Sequence, residues 1–587
     1  MIGRRTHNCG ELREEHEGGE VVLKGWIHRL RDQGGIFFFD LRDRFGLTQV
    51  TVEPGGGIPI ERVRGWKREY VVAVKGRVRP RPDGLKNTNL ATGGVEVVAS
   101  EVELLNESEV PPFVIEEDVD ATEENRLTYR FLDLRRESMQ KRLVLRHQAS
   151  QVVRRYLTSE GFLEIETPML VRNSPEGARD FLVPSRIWPG RFYSLPQSPQ
   201  IYKQILMICG FDRYFQIVKC LRDEDLRADR QPEFTQIDVE LSFTTEEEVF
   251  QIMEGLMASV WKETVGRDVE TPFPIMPYRQ AMEEYGTDKP DIRYDLKLID
   301  IGAMAAEGEF RAFKQVLDDG GTARAVVVPD GASFSRKEID SLEVIAKKHG
   351  AQGLAWTRIR DGKSDGGVAR FFDAEKIAQS TGAGEGDLIL MVAGPWKKAL
   401  GALGAVRVEL GARLGLAGGE EIRFLWVNRF PLFEWNEEDE RWEPAHHMFS
   451  HPFEEEIPYL ESDPSRVHGH LYDLVLNGVE IASGSIRVHV PELQRRIMAV
   501  VGIEGDDQDR RFGFLLNELR YGAPPHGGIA FGWDRITQIL TGGSSIRDVI
   551  AFPKTTSGLS LMDGSPSEVD PELLAELGLE VQKPPAG

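Results

Sequence analysis

Cysteine is scarce in this sequence, with three in 587 residues, at positions 9, 209 and 220. The number is odd and the spacing wide. No disulfide framework and no zinc site is expected, and a reducing compartment, the cytoplasm, is. No run of about 18 apolar residues occurs, so no membrane-crossing helix is expected. The opening residues lack the apolar stretch of a secretory leader. Neither HExxH nor CxxC is present, which removes two common metal signatures. Positive charge is short as well: 72 Lys and Arg stand against 95 Asp and Glu, a net charge of −23. That sum alone argues against nucleic-acid binding. The distribution argues the other way, because residues 61–86 hold nine cations and three acids. A basic patch on an acidic protein suits a specific RNA while excluding random polyanions.

The length exceeds what one core supports, so several domains are expected. Residues 1–112 contain five strand-like runs, punctuated by Gly34-Gly35, Gly46 and a Pro/Gly stretch near 80–84. Five short strands with such turns predict a small barrel of the OB type. Arg29, Arg31, Phe38 and Gln49 supply cations, a ring and an amide, the set with which OB-folds stack and grip single strands. Phe37–Phe39 is also a candidate for barrel core, but alternation lets only one face of a strand be core. Residues 113–137 read as a hinge. Helical spacing follows over 137–160, then a strand over 162–170 that includes Pro168. Residues 293–418 alternate strands and helices and carry no polar constellation.

The chain is organised around residues 213–243. Two runs of period two flank a loop with three arginines and five acids or amides, a pattern that predicts an antiparallel pair. Phe234, Gln236, Asp238 and Glu240 share one face. Gln216, Val218, Cys220, Arg222 and Glu224 line a face of the preceding run. A half-buried sheet with one wet face explains the pattern as well. An aromatic, an amide, two carboxylates and an arginine can equally stack a base, hold an amine and grip a phosphate. Lys203 falls in the first turn of a helix, where a cation is electrostatically misplaced. Asp473 and Glu480 are two carboxylates in apolar surroundings, able to share a divalent ion with phosphates.

The segment Leu221–Gln236 resembles motif 2 of the class II aminoacyl-tRNA synthetases, and in particular their aspartyl branch. The helix and strand ending at Pro168 resemble motif 1. The glycine-rich run Tyr521–Arg535 resembles motif 3, and the QSPQxxK string at 197–203 resembles an aspartate pocket. The resemblance spans the chain. It implies an α+β multidomain protein: an N-terminal OB-fold β-barrel that binds the anticodon (1–112), a hinge (113–137), a class II antiparallel-sheet catalytic domain in two parts (138–292 and 419–560), an α+β insertion of bacterial type (293–418) and a C-terminal extension (561–587). It implies ATP-dependent charging of tRNA-Asp with L-aspartate through an aspartyl-adenylate, by a cytoplasmic homodimer using Mg²⁺ with ATP.

The residues the resemblance assigns are as follows. Arg222, Glu224 and Arg535 act in catalysis. Arg222, Asp223, Glu224, Gln231, Phe234, Glu480, Gly532, Trp533, Asp534 and Arg535 bind ATP, with adenine between Phe234 and Arg535. Glu176, Ser198, Gln200, Lys203, Arg222, Asp238, His446, His447 and Arg487 hold aspartate. Asp473 and Glu480 hold the metal. Arg29, Arg31, Gln33, Phe38 and Gln49 read the anticodon. Five positions depart from the pattern: Met448 replaces a proline, Ala482-Ser483 a glycine pair, His28 an asparagine and Leu30 an arginine. At position 33, relatives that charge only tRNA-Asp commonly carry leucine, and those that also charge tRNA-Asn often carry histidine. Gln33 is neither, but like histidine it both donates and accepts, and tRNA-Asn is expected as a further substrate. An asparaginyl- or lysyl-type synthetase, an amide-forming ligase on the same catalytic fold and a catalytically inactive tRNA-binding paralogue remain as alternatives.

Overall fold

A computed structural model describes residues 2–173, 178–224 and 229–582. These residues form two compact units. One holds residues 2–147, 229–231 and 541–569; the other holds 148–224, 232–540 and 570–582.

In the first unit, β1 (Glu20–Gln33), β2 (Ile36–Asp43), β3 (Gly46–Val52), β4 (Val71–Pro80) and β5 (Val95–Asn106) close into a barrel, in the spatial order β1, β2, β3, β5, β4. The expected OB-type barrel is therefore present. Alternation sorts its residues: Phe37, Phe39 and Leu41 enter the core, while Phe38 and Asp40 face outward. The β1–β2 connection is Gly34-Gly35 with φ of 64° and 90°. A two-residue hairpin with both central residues left-handed matches the twist of the strands it joins, and glycine tolerates that conformation. The hinge is tied to the segment near residue 550. Buried Arg130 donates to the carbonyls of Arg547, Ile550 and Ala551 at 2.8–2.9 Å and pairs with Asp133 at 2.7 Å.

The second unit is built on an eight-stranded sheet. Its spatial order is Ile275–Pro277, Phe424–Asn428, Leu471–Leu476, Val479–Ile486, His526–Gly532, Glu233–Ser242, Arg213–Leu221 and Leu163–Glu164. The inner pairs are antiparallel and the two outermost are parallel. The expected helix over 137–160 runs Glu137–Ser159. The expected strand over 162–170 shrinks to Leu163–Glu164, since Pro168 has no N–H to give a ladder. Helix Glu246–Val265 packs on the sheet, with Phe250 stacked on Trp426 at 4.2 Å between ring centroids and the Trp426 indole N–H donating to Glu254 at 3.0 Å.

Residues near 293–418 form a separate antiparallel sheet, ordered Leu298–Asp300, Thr322–Val328, Leu388–Gly394, Ala355–Arg360 and Lys363–Asp365. Arg407, on the helix Trp396–Arg413, is fully buried at its root. Its guanidinium donates to the carbonyls of Asp291, Tyr294 and Leu296 and lies over the rings of Tyr285 and Tyr294.

Candidate active site

The strand Glu233–Ser242 is central because both of its edges are paired and its two faces differ. Phe234 lies opposite Cys220, Asp238 opposite Gln216 and Glu240 opposite Tyr214 on one side. Asp238 also faces Ala530, and Glu240 faces Gly528, on the other. The polar face is not uniformly wet. Phe234 and Gln236 are half-buried, whereas Asp238 and Glu240 are buried.

At the buried end four charges meet. Lys203 Nζ is 3.1 Å from Asp238 and 3.2 Å from Glu240, and Arg487 Nε donates to Glu240 at 3.0 Å. The four side chains are all at most 2% exposed. The helix-start lysine is thus placed by two carboxylates from the sheet, which outweigh the local dipole. Burial holds the Asp238 carboxyl above its ordinary range, with Lys203 opposing. Burial also acts to raise Glu240, but Arg487 and then Lys203 reverse it and hold that carboxyl low. Asp238 Oδ2 is buried and has no hydrogen-bond partner among the described residues. A buried oxygen of this kind is costly to leave unpaired, and an ammonium is a partner that satisfies it.

Arg487 reaches further. Its Nη1 donates to Ser485 Oγ at 2.9 Å and to His447 Nε2 at 2.8 Å. A guanidinium cannot accept, so His447 Nε2 is the acceptor of that bond, while Nδ1 lies 3.3 Å from the Phe449 backbone N–H and 3.4 Å from Ser450 Oγ. Burial first, then Arg487, holds His447 well below its ordinary pKa. Met448 does not loosen this loop: it is buried, and its carbonyl accepts from Gln494 Nε2 at 2.8 Å. Gln200 lies one helical turn before Lys203, with Ser198 Oγ accepting its backbone N–H at 3.2 Å. Glu176 lies outside the described residues.

At the half-buried end, the Arg222 guanidinium sits over the Phe234 ring, 5.1 Å from its centroid, and Arg222 Nε is buried without a hydrogen-bond partner among the described residues. Asp223 is an exposed bridge residue paired with Arg179, and Glu224 follows it half-buried. Arg535 opens the helix Trp533–Thr541 and donates to the Glu480 carbonyl at 2.7 Å. Trp533 and Asp534 turn inward. The indole donates to Ser150 at 3.1 Å, and Asp534 accepts the Thr235 backbone N–H at 2.8 Å. Both side chains are buried. Gln231, in the first unit, bonds the backbone of Lys554 in both directions, at 3.0 and 2.8 Å.

Asp473 and Glu480 come from neighbouring strands. Burial pushes the Asp473 carboxyl up to about 7, with Glu480 adding to the rise and His446 opposing it. Asp473 Oδ1 is buried with no hydrogen-bond partner among the described residues, 4.0 Å from His446 Nδ1. Two carboxylates that resist being charged together are a fitting place for a divalent cation, which is usually completed by phosphates and water. No cluster of three or more metal-binding side chains exists among the described residues. The Ser483 hydroxyl, at the unusual position, faces His446 Nδ1 at 3.3 Å.

Residue types alone pointed to Asp238 but gave Glu240 no role. The signal was one more step of the same period-two alternation. The glycines of the His526–Gly532 strand differ in what surrounds them. A Cβ at 528 would clash with Glu240, and one at 527 with Ile486, whereas one at 532 meets nothing nearer than 3.8 Å. The first two serve the protein's own packing, whereas a side chain at Gly532 would make only ordinary contacts.

On the barrel, Arg31, Phe38 and Gln49 share the outer face. Arg31 lies opposite Phe38, and its guanidinium donates to Gln49 Oε1 at 3.1 Å. Gln49 in turn donates to Glu96 at 2.8 Å. Arg29 pairs with Glu116 at 3.0 Å. Of the three departures in this loop, His28 contacts Arg42 at 3.0 Å and Leu30 packs on the barrel core. Gln33 alone is exposed, at the tip of β1 beside the glycine turn.

An OB barrel with a cationic, aromatic outer face, joined in one chain to an antiparallel sheet lined by arginines and acids, defines a class II synthetase architecture. Residues 21–105 match the OB-fold nucleic acid binding domain and residues 122–556 match the tRNA synthetases class II (D, K and N). The chain belongs to that class II D, K and N family. It is 52% identical to an aspartate–tRNA(Asp/Asn) ligase of Treponema denticola, over 99% of both chains. It is 48% identical to an aspartate–tRNA ligase of Macrococcus caseolyticus, again over 99% of both. Among solved structures it resembles an asparaginyl-tRNA synthetase of Pyrococcus horikoshii in complex with asparaginyl-adenylate, at a TM-score of 0.59 and 18% identity, over 94% of this chain and 99% of that one. It also resembles an aspartyl-tRNA synthetase of Entamoeba histolytica, at 0.57 and 18%, over 94% and 91%. These two likenesses concern the fold.

Proposed function

We propose that this chain is an aspartate–tRNA ligase. The α-carboxylate of L-aspartate attacks the α-phosphate of ATP. The bond to the β-phosphate breaks and pyrophosphate leaves. The terminal ribose 3′-hydroxyl of tRNA-Asp then attacks the aspartyl carbonyl, and AMP leaves. No side-chain nucleophile is needed, because such chemistry is mostly positioning and charge stabilisation.

The observation that carries the reading is the buried quartet. Lys203 and Arg487 present cations suited to the substrate's side-chain carboxylate, with neutral His447 beside them. Asp238 Oδ2, buried and without a partner among the described residues, suits its ammonium, together with Gln200, Ser198 and Glu176. Arg222 grips the α-phosphate and the reacting carboxylate, and Arg535 the γ-phosphate. Phe234 is a stacking platform for adenine. Glu224 and Gln231 contact the nucleotide. Asp473 and Glu480 would hold Mg²⁺, which when bound neutralises phosphate charge. Arg29, Arg31, Phe38 and Gln49 read the anticodon.

Relatives of both names, Asp-specific and Asp/Asn, lie close to this chain. Exposed Gln33 favours charging of tRNA-Asn as well. A homodimer is supported by exposed Leu163, Met169 and Leu170 on and after the two-residue edge strand, since an unprotected apolar sheet edge invites a partner. No helix among the described residues is long and apolar enough to cross a membrane, and a reaction on tRNA belongs in the cytoplasm. Pyrophosphate exchange with each amino acid in turn tests the reading. Aspartate is expected to support exchange, and selective exchange with asparagine or lysine would overturn it.

A further inference from the structure

His526 opens the strand His526–Gly532 and is fully buried, yet no step above uses it. Its Nδ1 lies 2.8 Å from the Pro524 carbonyl oxygen. A carbonyl only accepts, so Nδ1 carries the proton. Burial, helped by Arg487 and His489 and opposed by Glu240, holds the ring below its ordinary pKa and neutral. Nε2 is then a bare acceptor. Gln204 Nε2 stands 3.2 Å from it, and the donor must be the Gln204 amide NH₂. This fixes which way Gln204 points. Its Oε1 faces Gln200, whose own NH₂ donates to it at 3.2 Å. Gln200, Lys203 and Gln204 are spaced to share one face of their helix. On that face Lys203 bonds Asp238 at 3.1 Å.

We propose that His526 is a positioning residue for the substrate ammonium, acting through Gln204 to leave the carbonyl end of Gln200 as the end offered to bound aspartate. The inference rests on the reading of Gln200 and Asp238 as aspartate ligands. An ammonium has only hydrogens to give, so it needs Oε1 of Gln200 and is repelled by its NH₂. A donor at His526 Nε2 would invert both amides and present the wrong end. The chain of hydrogen bonds therefore selects one of two orientations that are nearly equal in shape.

The test uses the full-length protein and pyrophosphate exchange, with aspartate and ATP varied separately. Succinate, the same dicarboxylate without the ammonium, serves as a competitive probe. His526→Asn keeps a donor toward Pro524 but removes the acceptor for Gln204. It is expected to raise the KM for aspartate by roughly tenfold or more, the scale of one hydrogen bond to a charged group. The KM for ATP and the inhibition constant of succinate should stay within about twofold. His526→Gln restores an acceptor oxygen near the place of Nε2 and should recover most of the loss. An unchanged aspartate KM in His526→Asn overturns the relay, as does a succinate constant that rises in step with it. Should that variant fail to fold, Gln204→Met carries the same expectations with His526 intact. If the wild type shows no exchange with aspartate, the assignment of the site fails and the relay with it. Normal wild-type exchange with an insensitive variant overturns the relay alone.

Discussion

A Cβ at position 528 would stand 1.9 Å from Oε2 of Glu240. The two residues face each other in the register of their strands. The acid lies across the bare backbone of the glycine, and from there it reaches both Lys203 and Arg487. Gly528→Ala is therefore expected to displace Glu240 and dismantle the quartet. Overpacking of this kind costs about 1–3 kcal/mol in stability. Aspartate-dependent exchange should fall at least a hundredfold, with a lower melting temperature. Near-normal exchange in this variant would show that Glu240 is not needed where it lies.

Arg487→Leu leaves Glu240 buried with Lys203 as its remaining cation. Breaking a buried pair from one side costs about 3–5 kcal/mol. The expected result is a loss of roughly a hundredfold or more in kcat/KM for aspartate, with the KM for ATP little changed. Exchange kinetics at saturating ATP decide it, and a wild-type kcat/KM would remove Arg487 from the aspartate site.

Phe38 faces outward while its neighbours Phe37 and Phe39 fill the barrel. Phe38→Ala should remove one stacked base, about 1–3 kcal/mol of tRNA binding. Exchange without tRNA should be untouched. An equal fall in both assays would mean that the ring supports the fold instead.

Gln33→Leu tests RNA choice. The exposed amide is expected to contribute about 1 kcal/mol toward tRNA-Asn. Charging of both purified transcripts is compared for the two proteins. The wild type should aspartylate tRNA-Asn measurably. The variant should do so less while keeping tRNA-Asp. No Asp-tRNA-Asn from the wild type would end the idea.

Burial holds His447, His451 and His526 below their ordinary pKa. Each therefore takes up its proton at a lower pH in the folded protein than in the unfolded chain, where the titration lies near pH 6.5. Below that pH the unfolded state binds more protons, so this contribution to stability is complete above about 6.5 and declines as pH falls. Asp473, raised to about 7, works in the opposite sense, so a comparison of variants isolates the effect. Between pH 7.5 and 5.5, wild type should lose more unfolding free energy in urea than His451→Gln. Equal losses would contradict the assignment.

Much of this was legible in the order of residues. The period-two runs of the barrel, the glycine turn after Gln33 and the shared face of Phe234, Gln236, Asp238 and Glu240 are local properties, set by a strand's geometry. Helix Glu137–Ser159 was legible for the same reason, while the strand near Pro168 was overestimated because one missing N–H outweighed propensity.

Pairing was not local. Lys203 meets Glu240, and Glu240 meets both Arg487 and Gly528, only because the sheet sets His526–Gly532 between Glu233–Ser242 and Val479–Ile486. A cation that looks misplaced at a helix start becomes one of two partners for buried acids. Gly528, in the glycine-rich run that resembles motif 3, makes room for a carboxylate. Chain order settled which chemistries were present and which of them shared a strand face. The tertiary structure decided which charges neutralise one another, since Coulomb energy depends on distance and burial, and neither is written in sequence separation.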